Sequence, residues 1–463
     1  MSTPILWILF PLLISGISLF FMRYRKILKW GGMGISLVLA LSAVILPVNV
    51  TFNLLFWEVK ISDQLLVFGR RFILSSADQP VVILLFAILF FWLVILDLNI
   101  VPMQFFPFSL AGITLILTAY AVDPIYYGAL FFAFLALINV ILLSPPGEEP
   151  TPGVLRFLIY QILGMLFILF AAWLASWIDL NSGDQVMLGR SLLILALGFS
   201  FLLSVFPFLS WIPMVGEENH PFVTGFVFNT YFLGIFLFGS RFITEGGWLV
   251  QGGNLQNPLQ LAGAIMLGFG GILAVFSKHL GRLLGAVVIA EIGRSLLALS
   301  LFLTGFPIYF AMVIIQSLSL GVWASSLSTL KLGVSDLNYS SLTGAARQWP
   351  VITSGLLLGY FTLAGLPLLG GFPIYWGLGS GLAFYPLWIN ISLALGSVGL
   401  IIGGLRILNV FTKDSGEESV LILGEPLTRY LILGLNFLLI LLGFFPQVLL
   451  KITRAMTEIL MGF

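Results

Sequence analysis

Runs of about 20 mostly apolar residues, the length an α-helix needs to cross a bilayer, recur from one end of this chain to the other. They fall at residues 4–22, 29–48, 80–99, 104–121, 124–144, 154–178, 190–214, 221–241, 259–277, 283–304, 307–331, 350–375, 384–408 and 427–450. The spacing predicts an all-α polytopic membrane protein with about fourteen spanning helices. Composition agrees: 60% of the 463 residues are hydrophobic and 8% charged, where a soluble domain carries about a quarter of its residues as charges.

Several functions are excluded by what is scarce. There is no cysteine for a disulfide, an iron–sulfur cluster or thiol chemistry. The two histidines, His220 and His279, form no ligand pattern for a metal or haem, and a net charge of +1 offers no basic stripe for nucleic acid. No glycine-rich nucleotide loop lies in a strand–helix context. The expectation is no cofactor in this chain and no nucleic-acid partner, with lipids as its surroundings. The first run has no basic segment before it and is followed by Arg23, Arg25, Lys26 and Lys29, the reverse of a secretory signal peptide, so it is expected to remain as a helix. Lys and Arg are commoner in the connections after odd-numbered runs, which predicts that these face the cytoplasm and both termini lie outside it.

The chain reads as one membrane domain, 1–463. Residues 1–103 hold the first three helices, 104–241 and 259–408 hold two five-helix units, and 409–463 holds a loop and the last helix. The connection 49–79 alternates apolar and polar residues, which suits a short hairpin on the outer surface or an irregular amphipathic loop. Glycine and proline interrupt two apolar runs, at Val205–Phe226 and Leu363–Pro373. Helices that break at membrane depth in corresponding places of two halves are the mark of an inverted repeat in ion carriers, although a tolerated proline kink reads the same way.

At these breaks the chain resembles the antiporter-like subunits of respiratory complex I, the proton-translocating NADH:quinone oxidoreductase, and their relatives in cation/proton antiporters and membrane-bound hydrogenases. PFLSWIPMVGEENHPFVTGF, from Pro207, is similar to the family's Pro-Phe-His-x-Trp-x-Pro-Asp stretch and the turn after it, with Pro207, Trp211, Pro213 and Glu217 in register. Gly268–Gly293 resembles the stretch in which an Asp-x-Lys-Arg tetrad precedes a helix rich in small residues. Asn338–Pro350 resembles the turn before the broken twelfth helix, and GLPLLGGF follows it with Pro367 and Phe372. The resemblance implies a membrane-arm subunit of the M or N type in a bacterial cytoplasmic membrane. It also implies other membrane subunits as partners and redox cofactors on those partners only.

The resemblance also implies a central line of ionisable groups, and nearly all are replaced here. The glutamate of the fifth helix falls at Phe132, the lysine before Pro207 at Leu202, and the lysine of the eighth helix at Phe232. The tetrad's lysine is Gly281, the groups of the eleventh helix are Gln316 and Leu320, and the Lys or Glu of the twelfth is Tyr375. One intramembrane pair survives, Glu291 and Arg294, three residues apart and on one helix face. It reads either as a remaining proton site or as a structural lock. Lys278, His279 and Arg282 are placed at the cytoplasmic end of the same helix, where a proton route would begin. Three functions follow as expectations: a scaffold and coupling subunit whose proton path is lost, a pump using an altered route through Glu291, or an unrelated secondary transporter.

Overall fold

In a computed structural model, residues 2–461 are described except 47, 50, 55–56, 146, 181–184, 246–254 and 415–422. The chain is an all-α membrane protein. The N-terminal run is a π-helical segment, Ile5–Leu9, continued by α1 (Phe10–Phe20), and is followed by α2 (Arg25–Ile45). After the hairpins described below come α3 (Gln79–Val94), α4 (Phe105–Ala121), α5 (Gly128–Leu143), α6 (Pro152–Leu180) and α7 (Gln185–Leu202). Next are the short α8 (Trp211–Glu218), then α9 (Pro221–Glu245), α10 (Gln256–Phe276), α11 (Leu280–Leu299) and α12 (Phe306–Leu330). The chain closes with α13 (Ala345–Gln348), α14 (Pro350–Ala364), α15 (Gly371–Leu382), α16 (Leu387–Thr412), α17 (Pro426–Phe444) and α18 (Pro446–Met461). Among the described residues nine helices are long and apolar enough to cross a membrane, and four shorter apolar helices accompany them.

The connection 49–79 folds into two hairpins where one was expected. The first pairs β1 (Thr51–Leu54) with β2 (Trp57–Lys60); the second pairs β3 (Gln64–Val67) with β4 (Arg70–Ile73). The second is extended by β5 (Val122–Asp123), so that Arg71 stands opposite Asp123 and bridges it at 2.7 Å. The last apolar run also differs from expectation. It ends at Phe444, and Pro446 starts α18, an amphipathic helix that presents Lys451, Arg454 and Glu458 outward and buries Leu449, Thr453 and Thr457.

Helices α9, α11 and α12 form the centre, and every residue of α11 except Arg282 is buried. Peripheral helices keep apolar residues on the outside, such as Val44, Ile159, Leu395 and Phe437, the surface expected of a protein solvated by lipid. Residues 95–101, 219–220, 331–349, 413–414 and 423–425 gather on one face. Asn99 Nδ2 donates to Glu425 Oε1 at 2.7 Å there, and Arg347 pairs with Asp414.

Both interrupted runs break as expected, and they close alike. At the end of α7 the Val205 N–H donates to the Ser200 carbonyl and the Ser204 N–H to that of Phe201, with Ser204 in the left-handed region at φ 56°. At the end of α14 the Leu366 N–H donates to Phe361 and the Gly365 N–H to Thr362, with Gly365 at φ 78°. Both are Schellman-type closures in which a left-handed residue turns the chain and an apolar residue follows. Pro207 and Pro367 come next and keep the helix from resuming at once.

Candidate functional site

The second break is where charge remains. A helix that ends inside the bundle leaves its last carbonyls without intrahelical partners, and such a terminus carries partial negative charge. Arg294 on α11 answers this: its Nη1 donates to the Leu363 carbonyl at the end of α14, at 2.5 Å. The same nitrogen donates to Glu291 Oε1, one turn back on α11, and Nη2 donates to Ser397 Oγ at 3.3 Å. Tyr375 OH donates to the same Glu291 oxygen at 3.0 Å, while the guanidinium carbon lies 3.9 Å from the centre of the Tyr375 ring. Glu291 is 1% exposed and Arg294 0%. An ion pair taken out of water survives only when hydrogen bonds satisfy what remains of each charge, and here α11, α14, α15 and α16 supply those bonds.

Two atoms of the cluster lack a hydrogen-bond partner: Glu291 Oε2 and Arg294 Nε. Beside Glu291 lies an enclosed void lined by Asn229, Phe232, Phe236, Tyr309 and Gln316, with room for on the order of one water molecule. Tyr309 OH is likewise unpartnered, whereas Asn229 is held to Ser317 by bonds of 3.0 and 3.1 Å. Two participants had no signal in the sequence, Ser397 and the backbone of Leu363. Both are reached only through the three-dimensional packing of distant helices.

Four of the positions read from the sequence as replaced charges hold buried apolar side chains. Phe132 is fully buried against Tyr231 and Phe238, with ring centroids 6.1 and 5.2 Å away. Leu202 packs onto Gly164 of α6, Phe232 stacks 6.1 Å from Trp211, and Leu320 is enclosed within α12. Phe157 joins these rings, 4.7 Å from Trp211 and 5.2 Å from Tyr231. Among the retained motif residues, Trp211 Nε1 donates to Ser204 Oγ at 2.5 Å and so ties α8 to the first break, and Pro213 meets α11 at Gly285. Pro367 sits exposed in the second break, and Phe372 stands 6.0 Å from Trp376.

Lys278, His279 and Arg282 are not brought to Glu291. Nine helical steps, about 14 Å, separate Arg282 from Glu291, and the eight residues between them are apolar. Arg282 pairs instead with the motif residue Glu217 on α8. His279 caps α11 by accepting the Gly281 N–H at Nδ1, and its Nε2 lies 3.5 Å from Asp336. Burial lowers the His279 pKa, with Glu217 and Asp336 opposing it. Gly281 lies where α8 and α11 touch backbone to backbone: a Cβ there would stand 2.0 Å from the Gly216 carbonyl oxygen. A lysine at this position has no space. Asp97 is only 5% exposed and accepts from Thr428 Oγ1 at 3.1 Å.

His220 is the other histidine, in the turn between α8 and α9. Burial, aided by the Lys331 cation, pushes its pKa down to about 4 from the usual 6.5. The unfolded chain therefore takes up a proton first as pH falls, and folding stability is expected to decline between about pH 6.5 and about pH 4. Thermal unfolding in detergent across that range measures it, and His220→Gln should flatten this part of the slope. Among the described residues no group of three or more His, Asp or Glu side chains is placed to hold a metal ion.

This fold, with its two broken helices, is similar to that of antiporter-like membrane subunits. The chain is a relative of the antiporter-like subunits of complex I, and its sequence points to subunit N. It is 25% identical over 325 residues to NADH-quinone oxidoreductase subunit N of Ectopseudomonas mendocina, a match covering 65% of either chain. It is 24% identical over 364 residues to the subunit N of Nitrosomonas europaea, covering 75% of each. Formate hydrogenlyase subunit 3 of Escherichia coli is 28% identical over 300 residues, which is 58% of this chain and 47% of that one. The chain thus spans slightly less than two thirds of the length of the Ectopseudomonas subunit. No protein-family model matches it. The fold is shared at a TM-score of 0.77 and 14% identity with a chain of the archaeal membrane-bound sulfane sulfur reductase, over 99% of this chain and 98% of that one. A chain of respiratory complex I from Thermus thermophilus gives 0.72 at 20% identity, over 98% and 99%. A chain of the Mrp complex from Dietzia gives 0.71 at 13%, over 98% and 96%.

Proposed function

We propose that this chain is a membrane-arm subunit of a complex I-type NADH:quinone oxidoreductase that has kept the antiporter-like fold and lost its own proton path. Its role is to space neighbouring membrane subunits, seal the bilayer between them and carry the mechanical contact through which they couple. The observation that carries this reading is the packing of Phe132, Leu202, Phe232 and Leu320. Each fills, with buried apolar volume, a place where the family positions an ionisable group. A proton carrier at membrane depth needs an ionisable side chain, and none of these four supplies one. Donor, clusters and quinone belong to partner subunits, and the basic-rich face of the bundle is assigned to the cytoplasm.

A second reading is favoured by one observation, the free Oε2 of Glu291 beside a void with room for water. In that reading Glu291 still exchanges a proton along an altered route. The proton-to-electron ratio of the parent complex in liposomes separates the two. The variant to use is Glu291→Gln with Arg294→Gln, which removes both charges together and leaves none stranded. An unchanged ratio is expected from a scaffold; a lower ratio in a fully assembled complex means that the altered route is alive.

A further inference from the structure

A second cavity, of about 180 Å³ and partly open, lies between α7, α9, α10 and α11. Its walls are Leu195, Phe199, Phe236, Leu259, Ala262 and Leu296, with similar neighbours on the same helices. Ser200 is its one polar side chain, and that hydroxyl already donates to the Ala196 carbonyl at 2.7 Å. Small-molecule sites carry a few polar groups to orient what they bind, and this cavity has none to spare. A headgroup, a quinone ring or a peptide backbone would bring polar atoms that no wall could satisfy.

Next to its wall residues in the chain stand outward apolar side chains, Leu193 beside Leu192 on α7 and Leu261 beside Ala262 on α10. At the depth of these helices the surrounding solvent is hydrocarbon. A helix from a neighbouring protein is about 10–12 Å across, so it could lie over the mouth without filling the space behind it. We propose that this cavity holds the hydrocarbon tail of a membrane lipid, as a fixed part of the folded subunit.

The position gives the tail a consequence. Phe236 is a wall of this cavity and also of the small void beside Glu291. A tail lying against Phe236 closes the bilayer side of that void, so the buried ion pair is screened from lipid and water by one aromatic ring with hydrocarbon behind it. The lipid site itself does not depend on whether Glu291 carries protons.

The test is the lipid content of the assembly purified through this chain in a mild detergent, by native mass spectrometry and by extraction. Filling the cavity with Ala196→Phe and Ala262→Phe is expected to remove about one retained lipid per chain. Leu259→Ala, which enlarges the cavity, should keep it. Leu137→Phe on the outer surface of α5 is the control and should change nothing. Wild type retaining no lipid, or a folded filled variant with an unchanged lipid count, overturns the proposal. So does a side chain of a neighbouring subunit found inside the cavity. If the double filling prevents folding, Ala262→Leu alone is read the same way.

Discussion

Glu291→Gln alone is expected to destabilise the subunit by about 3–5 kcal/mol, because it strands the Arg294 guanidinium, fully buried, without its counter-charge. Arg294→Gln should cost about as much for the mirrored reason. The double variant Glu291→Gln with Arg294→Gln is expected to recover most of the loss, since removing both members of a buried pair avoids the uncompensated charge. An apolar double variant, Glu291→Leu with Arg294→Leu, should stay about 1–3 kcal/mol below wild type, because the Leu363 carbonyl at the end of α14 then has no donor. Thermal unfolding of the detergent-purified protein ranks the four. Single variants no worse than the neutral double one would sink the view that these two charges exist for each other.

The second large effect is at the contact of α8 with α11. Gly281→Lys, which introduces the residue type that the resemblance implies there, is expected to abolish folding, and Gly281→Ala to cost about 3 kcal/mol or more. A Cβ at 281 would stand 2.0 Å from the Gly216 oxygen and 2.9 Å from the Glu217 Cα, both backbone atoms that cannot rotate away. Gly34 on α2 is the control: nothing lies within 4 Å of a Cβ there, and Ala is expected to be neutral or slightly stabilising. Purification yield and unfolding temperature report the difference. A well-folded Gly281→Lys protein would mean that α8 and α11 can separate and that the lysine was lost for another reason.

The parts of this molecule that follow from one-dimensional periodicity were readable in the sequence. The apolar runs mark the helices, and glycine and proline at Val205–Phe226 and Leu363–Pro373 mark the breaks, because both signals are local. The Glu291–Arg294 pair was legible for the same reason: two charges three apart on an apolar helix must neutralise each other. Its further partners were not. Tyr375 stood out only as a replaced residue, and its bond to Glu291 depends on how α15 re-enters the bundle after the break. The second hairpin before α3 was missed because its strands, QLLV and RRFI, are too short for alternation to tell from an irregular loop. The separation of α17 from α18 was missed because apolar residues continue across Pro446. Gly281 was read as a vacated charge, yet its spatial role is to let two backbones meet.

The rings of Phe132, Tyr231, Phe157, Trp211 and Phe232 form an unbroken aromatic series through the first half of the bundle. Moving a small ion from water into such a medium costs of order 20 kcal/mol by an idealised Born estimate. On the proposed reading, with neighbours that move charge, a block of this kind would be an insulator: it would keep the voltage that the other subunits build from leaking back through the protein itself.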